Sequence, residues 1–555
     1  MRYRNIDVGK RPLIATGLAC LVIIFGGFVK VPDGDYFFKV NKGIELFGRV
    51  YKEIAANYVD VVDPERFVQA GIDGMLESLD PYTVYIDKEN GDEVDLLTNG
   101  KYGGVGITIS QREGRIEVIS VMEGYSGARQ GLLPGDRIVE IDGHDVRTKR
   151  PDEVRSLTRG EPGTEVKVAV EREGESAPLT FVLIREEIQV KNVTFADFVD
   201  PGIGYIKLER FSRKAGDEVR QAIKELKIKG DVKAIVLDVR GNPGGLLDAA
   251  VDVVSKFVPK GSHIVTTKGR RSEGDKEYTS PEEPLLPNVH LAVLTDRGSA
   301  SASEIVSGAI QDLDRGLIIG DRTFGKGLVQ TILPLNYGAQ LKVTTARYYI
   351  PSGRSIQEID YKQKDRNGIF ASMSDSLRHE FKTLGGRSVY EHGGITPDSS
   401  VTVDDTGPMV KELNRKALFF RFANQYVTAH HPDSISGIDQ AMLDEFKGFL
   451  KEKQFDYQED AESQLATVQE IAERSHYSAE SLHQIDILKT SLTKEKERGF
   501  ERYRQPISRA LEVEMMARLQ GDQGRIKRSL RYDPQLKTAV ALVKNDKLYN
   551  KLLGF

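Results

Sequence analysis

The stretch from Leu291 to Leu313 leaves this chain little freedom in how it folds. Leu291-Ala-Val-Leu-Thr295 is an uncharged run with the length of a buried strand. Asp296-Arg-Gly-Ser-Ala300 reads as a turn, and from Ser301 the residues Ile305, Val306, Ala309, Ile310 and Leu313 recur near one face of a helix. A strand joined to a helix by one tight turn puts Ser301 at the helix's first turn, where a hydroxyl is exposed and free backbone N–H groups face an oxyanion. Gly204-Tyr-Ile-Lys-Leu208 and Ala234-Ile-Val-Leu-Asp-Val239 read as further strands, with helical patterns from Gly216 to Ile228 and from Leu246 to Phe257. Strands alternating with helices predict an α/β layer structure.

The residues that follow carry the chemistry. Phe324-Gly-Lys-Gly327 sets a lysine between two glycines, and Gln330 stands four positions beyond it. A serine needs a base to become a nucleophile, and this stretch holds no histidine. Lys326 fits that role if burial strips its proton, because desolvation disfavours the ammonium form. Asp238-Val-Arg-Gly-Asn-Pro-Gly-Gly245 joins a strand to a helix and exposes N–H groups. A phosphate loop is excluded there, since no Gly-Lys-Ser/Thr follows.

Together, Gly298-Ser-Ala-Ser-Ala-Ser-Glu-Ile305, Phe324-Gly-Lys-Gly327 and Gln330 resemble the carboxy-terminal processing peptidases, a serine peptidase family with a Ser/Lys dyad. The resemblance continues through Leu341–Tyr348 and Pro351–Ile356, and Gly393-Gly-Ile-Thr-Pro-Asp398 resembles the family's closing motif. It implies Ser301 as nucleophile, Lys326 as general base and Gln330 as the residue orienting the lysine. It further implies an oxyanion hole from the Gly245 and Ala302 N–H groups. Glu304 matches a family position, and its residue type also suits a helix cap or a surface.

Residues 97–187 look like a PDZ domain. Tyr102-Gly-Gly-Val-Gly-Ile107 is a glycine-rich loop entering an alternating strand, and Gly131-Leu-Leu-Pro-Gly-Asp-Arg-Ile-Val-Glu-Ile-Asp-Gly143 is a turn-rich run typical of that module. Tyr102, Gly103, Gly104, Val105, Gly106 and Ile107 are the expected carboxylate-binding loop, against which a peptide would add as a strand. Arg137, read as lying at a turn beside that loop, is the expected relay to the catalytic cleft. Upstream, Phe38 to Ile54 and Phe67 to Leu79 read as two helices, the second ended by Asp80-Pro-Tyr82. Gly74-Met-Leu-Glu-Ser-Leu-Asp-Pro-Tyr82 resembles the family segment ahead of the PDZ domain, which implies a homodimer.

A length of 555 residues calls for three or four domains. At 39% hydrophobic and 29% charged the chain is globular, and its net charge of −5 argues against a general nucleic-acid binder. One cysteine, Cys20, excludes an internal disulfide framework, and nine histidines without ligand spacing predict no metal site. Arg2, Arg4, Lys10 and Arg11 precede an uncharged run from Pro12 to Val29, ended by Lys30. Such a segment is an export signal. An uncleaved anchor with the chain on the periplasmic side of the inner membrane is the first reading, a cleaved signal peptide the second. Gly17-Leu-Ala-Cys20 only faintly matches a lipoprotein box, because the apolar run continues past the cysteine.

The expected architecture is a multidomain α/β chain: signal segment 1–30, helical region 31–96, PDZ domain 97–187, peptidase core 188–406 and helical region 407–555. Residues from Glu358 to Tyr390 are expected as a loop or flap within the core. The expected function is a serine endopeptidase that recognises free protein C-termini and needs no cofactor. Its rivals are a catalytically idle PDZ scaffold and a lipid- or small-ligand-binding protein on the same fold.

Overall fold

The computed structural model describes residues 34–555 apart from 89–90, 113, 271–274, 365–369, 373–377, 404 and 433. The basic and apolar N-terminal segment, with the expected anchor and Cys20, lies outside the described residues. Among the described residues no helix is long and apolar enough to cross a membrane.

Two compact units divide the chain between Ser78 and Leu79. The first holds the helices Gly34–Asn57 and Pro64–Leu76. Asp63 caps the second helix by accepting from the Glu65 and Arg66 N–H groups, and Pro64 suits its first turn. Tyr51 stacks on Phe67 at 5.6 Å between the pair. That helix stops at Leu76, earlier than its apolar pattern suggests, where the Glu77 N–H bonds the Asp73 carbonyl and the Ser78 N–H turns back to the Met75 carbonyl.

Within the second unit, a PDZ domain is built on antiparallel strands in the order Ile107–Arg112, Arg115–Val121, Arg137–Ile141, Glu165–Glu171 and Leu179–Ile184. Glu165–Glu171 shows why: Val166, Val168 and Val170 are buried, while Glu165 and Lys167 between them face solvent. The helix Pro151–Thr158 closes the domain. Ile107–Arg112 forms one edge of the sheet.

The peptidase core carries a six-stranded sheet in the order Val193–Asp200, Ile203–Leu208, Ala234–Asp238, His290–Thr295, Leu317–Gly320 and Ser399–Ser400. All pairs but the first are parallel. Every residue of Ala234–Asp238 is buried, as expected of an interior strand covered on both faces. Helices Ala215–Lys229, Leu247–Ser255 and Ala302–Asp312 supply the apolar layer on one face. On the other face lie Pro534–Val543 and Asp546–Leu553, whose Leu536, Leu542, Val543 and Leu553 pack on Val236, Ala292, Leu294 and Ile319. A second, antiparallel sheet pairs Gln340–Tyr349 with Leu328–Pro334, His263–Gly269 and Val84–Ile86.

Two hairpins, Ile359–Lys364 with Phe370–Ser372 and Glu380–Lys382 with Ser388–Tyr390, occupy the region expected as a loop or flap. Helices from Pro408–Arg415 to Arg504–Ser529 form their own core around Phe419, Phe422, Phe446 and Met515. The last two helices therefore leave that helical region and return to the peptidase sheet.

Candidate active site

The nucleophile turn and the Gly-Asn-Pro-Gly-Gly loop brace one another. Asp296 Oδ1 accepts from the Gly241 and Gly298 N–H groups at 2.8 and 2.9 Å. Ser299 Oγ donates to the Val239 carbonyl at 2.9 Å, and Asn242 O accepts from both the Ala300 N–H and Ser303 Oγ. These bonds pin Ser301, the N-cap of Ala302–Asp312, at φ 54° and ψ −112°. Such a backbone is strained for any residue with a Cβ, at about 1–3 kcal/mol, and persists only where the surroundings over-determine it. Gly244, at φ +101°, makes the close approach possible: a Cβ there would lie 2.7 Å from Ala300 O and 2.9 Å from Ser301 Cβ.

The Gly245 and Ala302 N–H groups have no hydrogen-bond acceptor among the described residues, whereas the flanking Gly244 and Leu246 N–H groups are bonded. Two free donors beside a half-exposed serine hydroxyl suit an oxyanion.

Glu304 is fully buried one turn into the helix. Its Oε2 accepts from the Ser301 N–H and the Lys326 N–H, both at 2.8 Å. Its Oε1 accepts from Thr323 Oγ1 at 2.6 Å and the Gly325 N–H at 2.7 Å. Burial pushes this carboxyl up to about 7, against the pull of its four donors. Tyr348 Oη lies 3.1 Å from Ser301 O and 2.7 Å from Lys326 O, a second tie between the two segments. Sequence reasoning gave Glu304 a family position, with a cap or a surface role as the alternative. It is a cap, but one that also holds the Phe324–Gly327 loop. Tyr348 carried no local signal, because only the sheet brings it back to this point.

Lys326 is half-buried, and burial lowers its ammonium to about 8. Its Nζ lies 3.9 Å from the centroid of the Tyr82 ring. No hydrogen bond among the described residues joins Lys326 Nζ to Ser301 Oγ or to Gln330. The Gln330 amide instead donates to Thr344 Oγ1 at 3.2 Å.

In the PDZ domain, Lys101–Gly104 pairs with Glu186–Gln189, and Arg159 lies over the Tyr102 ring at 4.7 Å. Gly106 turns at φ +76° against Tyr125. The Val105 and Gly106 N–H groups have no acceptor among the described residues. Arg137 does not sit at a turn. It starts the strand Arg137–Ile141, opposite Glu117 and Glu171 and one strand removed from the Ile107–Arg112 edge. The turn ends one residue earlier because Arg172 takes the Asp136 carboxylate at 2.7 and 2.8 Å. Among the described residues no cluster of His, Cys, Asp or Glu could hold a metal ion.

The chain is similar to known proteins segment by segment. The profile of peptidase family S41 matches residues 202–364, that of a PDZ domain residues 117–172, and that of a probable PDZ-protease C-terminal helical domain residues 409–543. Residues 35–90 match the N-terminal domain of the activating protease CtpB. A carboxy-terminal-processing protease of Bartonella bacilliformis is 39% identical over 321 residues, covering 57% of this chain and 73% of that protein. The carboxy-terminal processing protease CtpA of Bacillus subtilis is 30% identical over 373 residues, covering 67% and 77%. Among solved structures, the photosystem II D1 C-terminal processing protease is 30% identical over 58% of this chain and 84% of its own, with a TM-score of 0.34.

Proposed function

This chain belongs to the carboxy-terminal processing proteases, serine peptidases of family S41, and from that premise we propose that it cleaves proteins from their free C-terminal tails with a Ser301/Lys326 dyad. The observation that carries the reading is Glu304 Oε2, a single buried oxygen that accepts from the backbone of both residues. A helix start and a distant glycine loop have no packing reason to share a buried carboxylate. A site that needs a serine and a lysine held together does.

In this reading Ser301 Oγ attacks the scissile carbonyl as neutral Lys326 takes its proton and later returns it to the leaving amine. The Gly245 and Ala302 N–H groups receive the oxyanion, each donor supporting about 3–4 kcal/mol of transition-state stabilisation. Water then hydrolyses the acyl-enzyme. Gln330, on the strand Leu328–Pro334 that follows the lysine's loop, fastens that strand to Gln340–Tyr349 through Thr344 and so steadies the loop. The free Val105 and Gly106 N–H groups support capture of a terminal carboxylate, with the tail adding to the Ile107–Arg112 edge. Binding there biases the PDZ domain toward an arrangement that aligns the cleft. The idle-scaffold reading leaves the strained Ser301 and the buried Glu304 without a purpose.

One experiment tests both halves. Two peptides, one with a free C-terminal carboxylate and one amidated, are offered to the enzyme and to its Ser301→Ala, Lys326→Ala and Lys326→Arg variants. The free tail is expected to be cut faster, all three variants to be inactive while folded, and kcat/KM to rise with pH through about 8 as the lysine loses its proton. Full activity in Lys326→Ala would remove the dyad, and equal cleavage of both peptides would remove tail recognition.

A further inference from the structure

The segment Leu79–Ile86 has no part in the reaction as described, yet it lies against the base. Asp80 Oδ1 accepts from the Tyr82 and Thr83 N–H groups at 2.9 and 3.0 Å, which fixes a tight turn. Thr83 is buried, and its Oγ1 accepts from the Thr344 N–H at 3.2 Å. Val84–Ile86 then pairs with Lys342, Leu341 and Gln340 as an added strand of the second sheet. This double fastening presents the Tyr82 ring face to Lys326, with Nζ 3.9 Å from the ring centroid. The far end of the ring is fastened too. Tyr82 Oη and Tyr361 Oη are 3.0 Å apart, the two rings meet edge to face at 5.7 Å, and Tyr361 meets Phe370 across its own hairpin at 4.9 Å. Burial and the bond to Tyr361 raise the Tyr82 hydroxyl far above the ordinary phenol value, so the ring faces the lysine as neutral phenol.

We propose that Tyr82 is a positioning residue for the proposed base: its ring is the seat on which the protonated Lys326 rests, and the lysine leaves that seat as it becomes neutral. A ring face attracts an ammonium and has little hold on an amine. Below the lysine's midpoint the seat therefore competes with Ser301 for Nζ, and above it the amine is free to hydrogen-bond Ser301 Oγ. Lys342 on the neighbouring strand disfavours the ammonium, whereas Asp80 in the turn and Glu304 on the helix favour it. The Tyr82 ring adds to the second group. Through Tyr361 the seat also ties the lysine to the strand Ile359–Lys364.

The proposal rests on Lys326 being the general base, so its test has a readout that does not need catalysis. In the Ser301→Ala background, the rate at which acetic anhydride labels Lys326 is followed against pH by mass spectrometry of the modified peptide. The labelling midpoint gives the lysine's own titration. Tyr82→Leu keeps an apolar side chain but removes the ring face, and is expected to move that midpoint down by about half to one pH unit. Tyr82→Phe keeps the face, and is expected to keep the parent midpoint. In the Ser301 enzyme the pH dependence of kcat/KM should move down by the same amount in Tyr82→Leu and stay in place in Tyr82→Phe. A labelling midpoint in Tyr82→Leu that is unmoved or moves upward, the sign expected if the ring only excludes water, would overturn the proposal. If the labelling midpoint falls but kcat/KM does not follow it, the seat stands and the assignment of Lys326 as base fails.

Discussion

At the scale of single residues, Glu304 decides the most. Each of its oxygens accepts two bonds, from Ser301 N–H, Lys326 N–H, Gly325 N–H and Thr323 Oγ1. An amide cannot reproduce this, because its NH2 end would face two donors. Glu304→Gln is expected to lower unfolding free energy by about 2–4 kcal/mol in urea titration. It should also lower kcat more than KM, since the serine and lysine segments come apart. The same residue gives a pH signature. Its folded value, about 7, lies above the usual carboxyl value, so the folded state holds that proton more tightly than the unfolded chain does. The proton-linked part of its contribution to stability is complete below about pH 4.5 and is lost as pH rises through about 7, because burial of the charge costs more than its four bonds return. That component of the pH–stability profile should be missing in Glu304→Gln. A variant with unchanged stability and unchanged kcat would show that the carboxylate holds neither segment.

At the scale of elements, the helices Pro534–Val543 and Asp546–Leu553 belong to the catalytic sheet. Beyond their apolar cover of Val236, Ala292 and Ile319, they reach the loop that supplies Gly245. Asp238 is buried between Lys207, Tyr205 and Arg240. Arg240 in turn donates to Asp533 Oδ2 at 2.6 Å and Gln535 Oε1 at 2.9 Å, at the start of the first of these helices. A chain ended at Tyr532 loses that anchor and exposes a sheet face made of Val, Leu, Ile and Ala. The buried side chains Leu536, Leu542, Val543 and Leu553 are worth about 1.5–3 kcal/mol each, together comparable with the whole stability of a domain. The truncated chain is therefore expected to aggregate or to lose the cooperative unfolding of the peptidase core in calorimetry. Recovery of a soluble, cooperatively folded peptidase would show that the helices are an accessory.

At the scale of the whole molecule, the order of parts is PDZ domain, peptidase core, helical region and a return to the core. The proposed placement outside the cytoplasm rests on Arg2, Arg4, Lys10 and Arg11 ahead of the run Pro12–Val29. A reporter active only outside the cytoplasm, fused after Phe555, is expected to work, and one active only inside is expected to fail. The reverse pattern would overturn the placement.

The sequence alone determined the central strands and helices of the catalytic sheet, because these are written locally, and it carried the candidate chemistry as short motifs that resemble a family's. An apolar run of strand length, a helical spacing and a glycine turn need no distant partner to be read, and so Ser301, Lys326 and the glycines of both loops stand out. Alternation within Glu165–Glu171 and the unbroken burial of Ala234–Asp238 come from the same local pattern. What joins distant segments was decided only by the tertiary structure. The shared oxygen of Glu304 depends on a helix start meeting a loop 22 residues later. Tyr348 returns through a sheet, Arg240 waits for a helix 293 residues on, and Tyr82 reaches Lys326 by adding a strand. A buried polar side chain shows its purpose only when its partner is present, and no spacing in the chain records which partner the fold will bring.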